Sequence, residues 1–138
     1  MKEYYNQADS RWANHPYTSP THPQANLKTS GCGPTSAAMI VTNMVKKILP
    51  NEMADILKNK GYRANEGTSL EAFNWLGKNY NLEVKRTNNI NEAIESVRNG
   101  GMAVASLAPG GLFSTNGHIV VFAEMKDANR IIIYDPYL

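Results

Sequence analysis

Ala37, Ile40, Val41, Met44, Val45 and Ile48 recur at the three- and four-residue steps of one helical face. Ala38 and Met39 broaden that face, so a central, buried helix is predicted here. Pro34 falls in its first turn, where a missing N–H costs nothing, and Pro50 lies just beyond its end. A shorter helix is expected from about Glu52 to Asn59, with Asn51 as N-cap and Gly61 as the stop. Thr68 and Glu71 have the spacing of a capping box for a third helix carrying Leu70, Phe73, Leu76 and Tyr80. Asn89 and Glu92 open a fourth with Ile90, Ala93, Ile94 and Val97, closed at Gly100-Gly101.

The alternating segment 82–87 is read as a strand, and 102–107, 118–124 and 129–135 are rich in β-formers. Helices come first and strands later. That order predicts an α+β fold in which an antiparallel sheet packs on the central helix, with additional helices. Residues 1–31 lack helical periodicity and carry Pro16, Pro20 and Pro23, so they are expected as a long arm, extended near 3–7. Tyr4, Tyr5, Trp12 and Tyr17 give the arm apolar surface to bury, which favours an ordered one. Trp12 and Tyr17 either pack that arm or, with the glycine-rich 108–117 loop, wall a substrate groove.

Composition narrows the function. The 138 residues suit one domain spanning 1–138, and 42% hydrophobic with 19% charged is enough for a core. The formal charge of +2 is spread along the chain without a basic block, which argues against nucleic acid. No apolar run approaches the roughly 20 residues of a membrane span. Residues 1–10 show no apolar stretch of a signal peptide. One cysteine excludes an intrachain disulfide and a cysteine-rich zinc site, so neither a metal nor another cofactor is expected.

That lone cysteine stands out by position. Cys32 lies in GCGPTSAAM, at the start of the main helix, where the positive end of the helix dipole favours a thiolate. Gly31 and Gly33 would leave room for a carbonyl to approach, and the free N–H groups of the first turn could hold an oxyanion. A buried structural cysteine is the competing reading; its glycine neighbours argue against it.

Of three histidines, His15 and His22 precede prolines in the arm, while His118 begins a strand. A hairpin symmetric about Lys126-Asp127 would set His118 opposite Asp135, on one face and about 5 Å apart at Cβ. A carboxylate there would orient the imidazole, whose other nitrogen faces the cysteine. A one-residue slip would separate the two.

The segments Y-N-Q at 5–7, G-C-G-P-T-S at 31–36, G-H-I-V-V at 117–121 and Y-D-P at 134–136 together resemble the C39-like branch of the papain-like cysteine peptidases. The resemblance spans nearly the whole chain. It implies a papain-like fold with Cys32 as nucleophile, His118 as base and Asp135 as orienting group. It also implies that Gln7 helps form the oxyanion hole, although Gln7 stands further from Cys32 than in the bacteriocin-processing members. The bond cleaved is an amide. The chain is similar to the catalytic part of phage-type cell-wall lysins, and a separate wall-binding domain after residue 138 is expected by that likeness. Peptidoglycan is then the substrate, cut by endopeptidase or amidase action outside the cytoplasm after release, by a monomeric domain. A protein or leader peptidase, or a non-catalytic binding module, are the competing readings.

Overall fold

The computed structural model describes residues 2–107 and 118–137. Five helices precede a three-stranded sheet: α1 (Leu27–Ser30), α2 (Cys32–Met44), α3 (Pro50–Asn59), α4 (Glu71–Asn79), α5 (Ile90–Arg98), then β1 (Ala103–Leu107), β2 (His118–Asp127) and β3 (Arg130–Tyr134). The sheet is antiparallel in the order β1-β2-β3, so the fold is α+β, consistent with a papain-like architecture.

Alternation along β2 divides the core. Val121 and Ala123 join the cluster built on α2 and α3, around Ala37, Met39, Met53 and Leu57. Val120 and Phe122 point the other way, onto Val97 of α5. Helix α2 is shorter than its apolar pattern predicts, because the N–H groups of Val45 and Lys46 both turn back onto the Val41 carbonyl. Thr42 Oγ1 then stitches the returning chain, donating to Ile48 O and accepting from Ile48 N. Ile48 is therefore buried from a loop, and Met44 and Val45 are exposed.

Other boundaries shift for equally local reasons. Helix α3 begins at Pro50 rather than after Asn51, with Leu49 as its cap. Thr68 does not cap α4; Ser69 Oγ accepts the Glu71 N–H instead, and the Thr68 hydroxyl is taken by Tyr17. Asn89 does cap α5, accepting from the Asn91 N–H. Residues 82–87 form no strand. Val84 lies against Gly77, where an added Cβ would come within 2.4 Å of it, so this segment follows α4 rather than joining the sheet.

The arm is ordered by burial. Tyr5, Trp12, Tyr17 and Leu27 all belong to the main core cluster. Trp12 Nε1 donates to Asn6 O at 2.8 Å, and Trp12 and Tyr17 are only 2% and 0% exposed. Both aromatics therefore pack the arm and do not wall a groove; the 108–117 loop falls outside the described residues. Each such ring contributes a few kcal/mol of apolar burial, by the general area scale of about 25 cal/mol per Å².

Candidate functional site

Cys32 is the first residue of α2, capped by Gly31 without a side-chain hydrogen bond, and it is partly exposed. Its side chain opens on a cleft of about 1080 Å³ that also touches His118, Ile119, Ser106, Thr68 and Glu66. The two glycines beside Cys32 do not leave the free space that the sequence suggests. A Cβ on Gly31 would lie 2.4 Å from Leu27 O, and one on Gly33 would lie 2.3 Å from Thr68 Oγ1. Protein atoms use that room, pressing α1 and Thr68 closely around the start of α2.

His118 opens β2, and its Nε2 stands 2.6 Å from Asp135 Oδ1. The hairpin that joins them is not the predicted one. Its turn falls at 128–129, and register shifts between Phe122 and Glu124 and between Met125 and Asp127 leave Val121 opposite Tyr134. Continuing that ladder by one residue would set Asp135 opposite Val120, two positions from His118. An even offset keeps both side chains on the same side, and the diagonal is within reach of an imidazole. His118 itself is the ladder partner of Leu107 on β1.

Further contacts hold the pair. Asp135 Oδ1 also accepts the Tyr137 N–H at 2.8 Å, and Tyr4 Oη donates to the Asp135 carbonyl. Tyr4 packs edge-on against Tyr134 at 5.4 Å, and Tyr134 Oη donates to Lys2 O. The extended start of the arm thus brackets the end of β3.

The His118 pKa is raised from its ordinary value to about 9. A hydrogen bond with the Cys32 side chain is the largest cause; the hydrogen bond and charge of Asp135 add to it, and burial opposes it. With Nε2 engaged by Asp135, Nδ1 is the nitrogen left for the sulfur. At neutral pH the ring is a cation set between the Asp135 carboxylate and the Cys32 sulfur.

The other two histidines sit elsewhere. His15 Nε2 bonds Asp55 Oδ1 of α3 at 2.7 Å. His22 lines the cleft, yet its Nδ1 is fixed within 2.9 Å of Asn65 O and its Nε2 lies 3.7 Å from Glu66 Oε2.

Gln7 is 4% exposed and does not touch the cleft. Its Nε2 donates to Leu27 O at 3.1 Å and to Lys28 O at 3.0 Å, so both amide protons are engaged. Its backbone N–H donates to Pro136 O at 2.7 Å. Gln7 thereby ties the residue after Asp135 to the helical turn leading into Cys32. Donating to an oxyanion would require one of its carbonyl bonds to be released.

Sequence reasoning missed Thr68 and Arg63. Tyr17 Oη lies 2.6 Å from Thr68 Oγ1. The Arg63 guanidinium sits 4.8 Å over the Tyr17 ring and donates through Nε to Tyr17 O. Only the T-x-x-E spacing marked Thr68, and it pointed to a cap. Among the described residues no group of three His, Cys, Asp or Glu could hold a metal ion, and no helix is long and apolar enough to cross a membrane.

A helix-tip thiol beside an imidazole and a carboxylate, in an α+β frame, is the arrangement of a cysteine hydrolase. Residues 3–138 match the Peptidase_C39 like family, and the chain belongs to that family. It is in general terms a cysteine peptidase. Among curated proteins and among solved structures nothing matches the chain.

Proposed function

We propose that the protein is a peptidoglycan hydrolase that cuts an amide bond of the wall, as an endopeptidase or an amidase, with Cys32 as its nucleophile. The observation that carries the reading is His118, bonded to Asp135 at 2.6 Å and lining the same wide cleft as Cys32. The Cys32 thiolate attacks the carbonyl carbon. The backbone N–H groups at the start of α2 face the oxygen that becomes negative. His118, a cation before attack, gives its proton to the leaving amine. Water then adds to the acyl-enzyme while His118 takes its proton, and the C–S bond breaks to return the Cys32 thiolate and the acid product.

The substrate class is supported by the cleft itself. Thr21, Gln24, Thr29, Ser30, Thr68 and Ser106 present hydroxyl and amide groups along it, beside the apolar Pro23, Ala25, Leu107 and Ile119. Those hydroxyl and amide groups suit the amide-rich stem peptides of peptidoglycan, and the apolar residues suit their alanine methyl groups.

Purified protein added to Gram-positive cell walls is expected to lower their turbidity and release new amino groups. Cys32→Ala should abolish this while keeping the fold, as read by circular dichroism. Chelator should leave activity intact and iodoacetamide should remove it. Intact walls alongside cleavage of a peptide library would replace this reading with a general peptidase. Mass spectrometry of the released fragments names the bond.

A further inference from the structure

We propose that Thr68 is a catalytic residue, whose hydroxyl donates a hydrogen bond to the oxyanion formed on the carbonyl that Cys32 attacks. The inference rests on the hydrolase reading above and assigns a side-chain donor within that site.

Position comes first. Thr68 lines the same cleft as Cys32 and His118. Its Oγ1 lies where a side chain of Gly33 would begin, beside the first turn of α2 and next in the chain to the nucleophile. The first turn of α2, beside it, has backbone N–H groups without helical acceptors. An oxygen drawing negative charge there meets backbone donors on one side and the Thr68 hydroxyl on another.

The direction of the proton follows from Tyr17. That residue is fully buried, and among the described residues its Oη has one hydrogen-bond partner, Thr68 Oγ1 at 2.6 Å. A buried phenol proton must be satisfied, so Tyr17 donates and Thr68 accepts. Thr68 then keeps its own proton for the cleft. The Tyr17 phenol is held neutral, its pKa pushed up to about 12 chiefly by burial, so the donor persists across the working pH range. Arg63 over the ring polarises the phenol toward donation, and a hydroxyl that accepts a strong hydrogen bond donates a stronger one.

The step balances without an outside reagent. The sulfur lone pair forms the S–C bond and the carbonyl π pair moves onto oxygen. Thr68 stabilises that oxygen with its O–H bond unbroken. When the pair returns, the C–N bond breaks and the amine departs with the His118 proton.

The test compares wild type, Cys32→Ala, Thr68→Val, Thr68→Ser and Tyr17→Phe on soluble muropeptides prepared from Gram-positive walls with a muramidase. Thr68→Val is expected to lower kcat about 100-fold with KM within about threefold, the pattern of a donor used only in the transition state. Thr68→Ser, which keeps the hydroxyl, should stay within about fivefold of wild type, and Tyr17→Phe should fall between the two. Alkylation of Cys32 by iodoacetamide forms no oxyanion, so its rate should be unchanged in Thr68→Val. That rate, with the circular dichroism spectrum, separates a lost donor from a disturbed fold. Full turnover in Thr68→Val, or loss of turnover and alkylation together, would overturn the role of Thr68. Wild type without turnover, or Cys32→Ala with it, would overturn the hydrolase reading itself.

Discussion

Nε2 of His118 and the backbone N–H of Tyr137 share a single acceptor, Oδ1 of Asp135, at 2.6 and 2.8 Å. The second bond fixes the carboxylate, and the carboxylate fixes the ring. Asp135→Ala removes the acceptor and is expected to lower kcat about 100-fold, within the range found for displaced general acids and bases. Asp135→Asn keeps an oxygen that can accept both bonds and loses only the charge. It should remain within about tenfold of wild type. Steady-state rates on muropeptides check the order of the two.

The pH profile carries a second prediction. In the proposed mechanism His118 must be protonated to deliver a proton to the leaving amine, and its pKa is raised to about 9. Activity should therefore fall as pH rises through about 9. Cys32→Ser and Asp135→Asn should each lower the His118 pKa, since both partners raise it. An NMR titration of the imidazole reads both. The sign for stability follows from a folded pKa raised above the ordinary 6.5. The contribution of His118 to folding is complete below pH 6.5 and is lost as pH climbs through 9. Urea midpoints at pH 6 and pH 9.5 should differ in that direction, and less so in Cys32→Ser.

Gln7 should behave as a strut. It is buried, and its three hydrogen bonds join the Asp135-Pro136 corner to the turn before Cys32. Gln7→Ala leaves the Leu27 and Lys28 carbonyls without their side-chain donor, at a cost of about 1–3 kcal/mol in stability. Gln7→Glu sets a carboxylate against those carbonyls and should cost more. Urea unfolding and kcat should fall together in Gln7→Ala. A loss of kcat with full stability would instead mark Gln7 as an oxyanion donor.

Gly33→Ala tests the packing around Cys32. The new methyl would sit 2.3 Å from Thr68 Oγ1 and 2.4 Å from Thr68 Cβ, so Thr68 or the helix start must move. Overpacking of this kind costs about 1–3 kcal/mol. Thermal unfolding should show the loss, and kcat should drop with it. Gly61→Ala makes a useful contrast. Its Cβ would meet nothing, but its φ of +86° strains any side chain, so stability should fall with kcat unchanged.

Much of the architecture was legible because it is local. The three-to-four-residue spacing of Ala37, Val41 and their neighbours marks α2, and Asn89 marks the start of α5, since caps and faces are set within a few residues. Cys32 could be singled out for the same reason: a glycine-flanked cysteine at a helix start is a local signal. The strand at 82–87 failed because alternation cannot say whether a sheet edge or a helix lies alongside. Gly77, five residues upstream of Leu82, supplied the closer surface.

What the sequence determined by itself was the four longer helices and the late strands, their order, and which residues carry reactive groups; the short α1 (Leu27–Ser30), inside an arm without helical periodicity, was not among them. The tertiary structure decided how those groups meet. Two register shifts in β2 displaced Asp135 along the ladder yet kept it beside His118, because side chains alternate with a period of two. It also sent Thr68 to Tyr17 rather than to a helix cap, and the Gln7 amide to two carbonyls. Those outcomes depend on contacts between segments 20 to 51 residues apart, where no periodicity or spacing rule reaches and packing selects each hydrogen-bond partner.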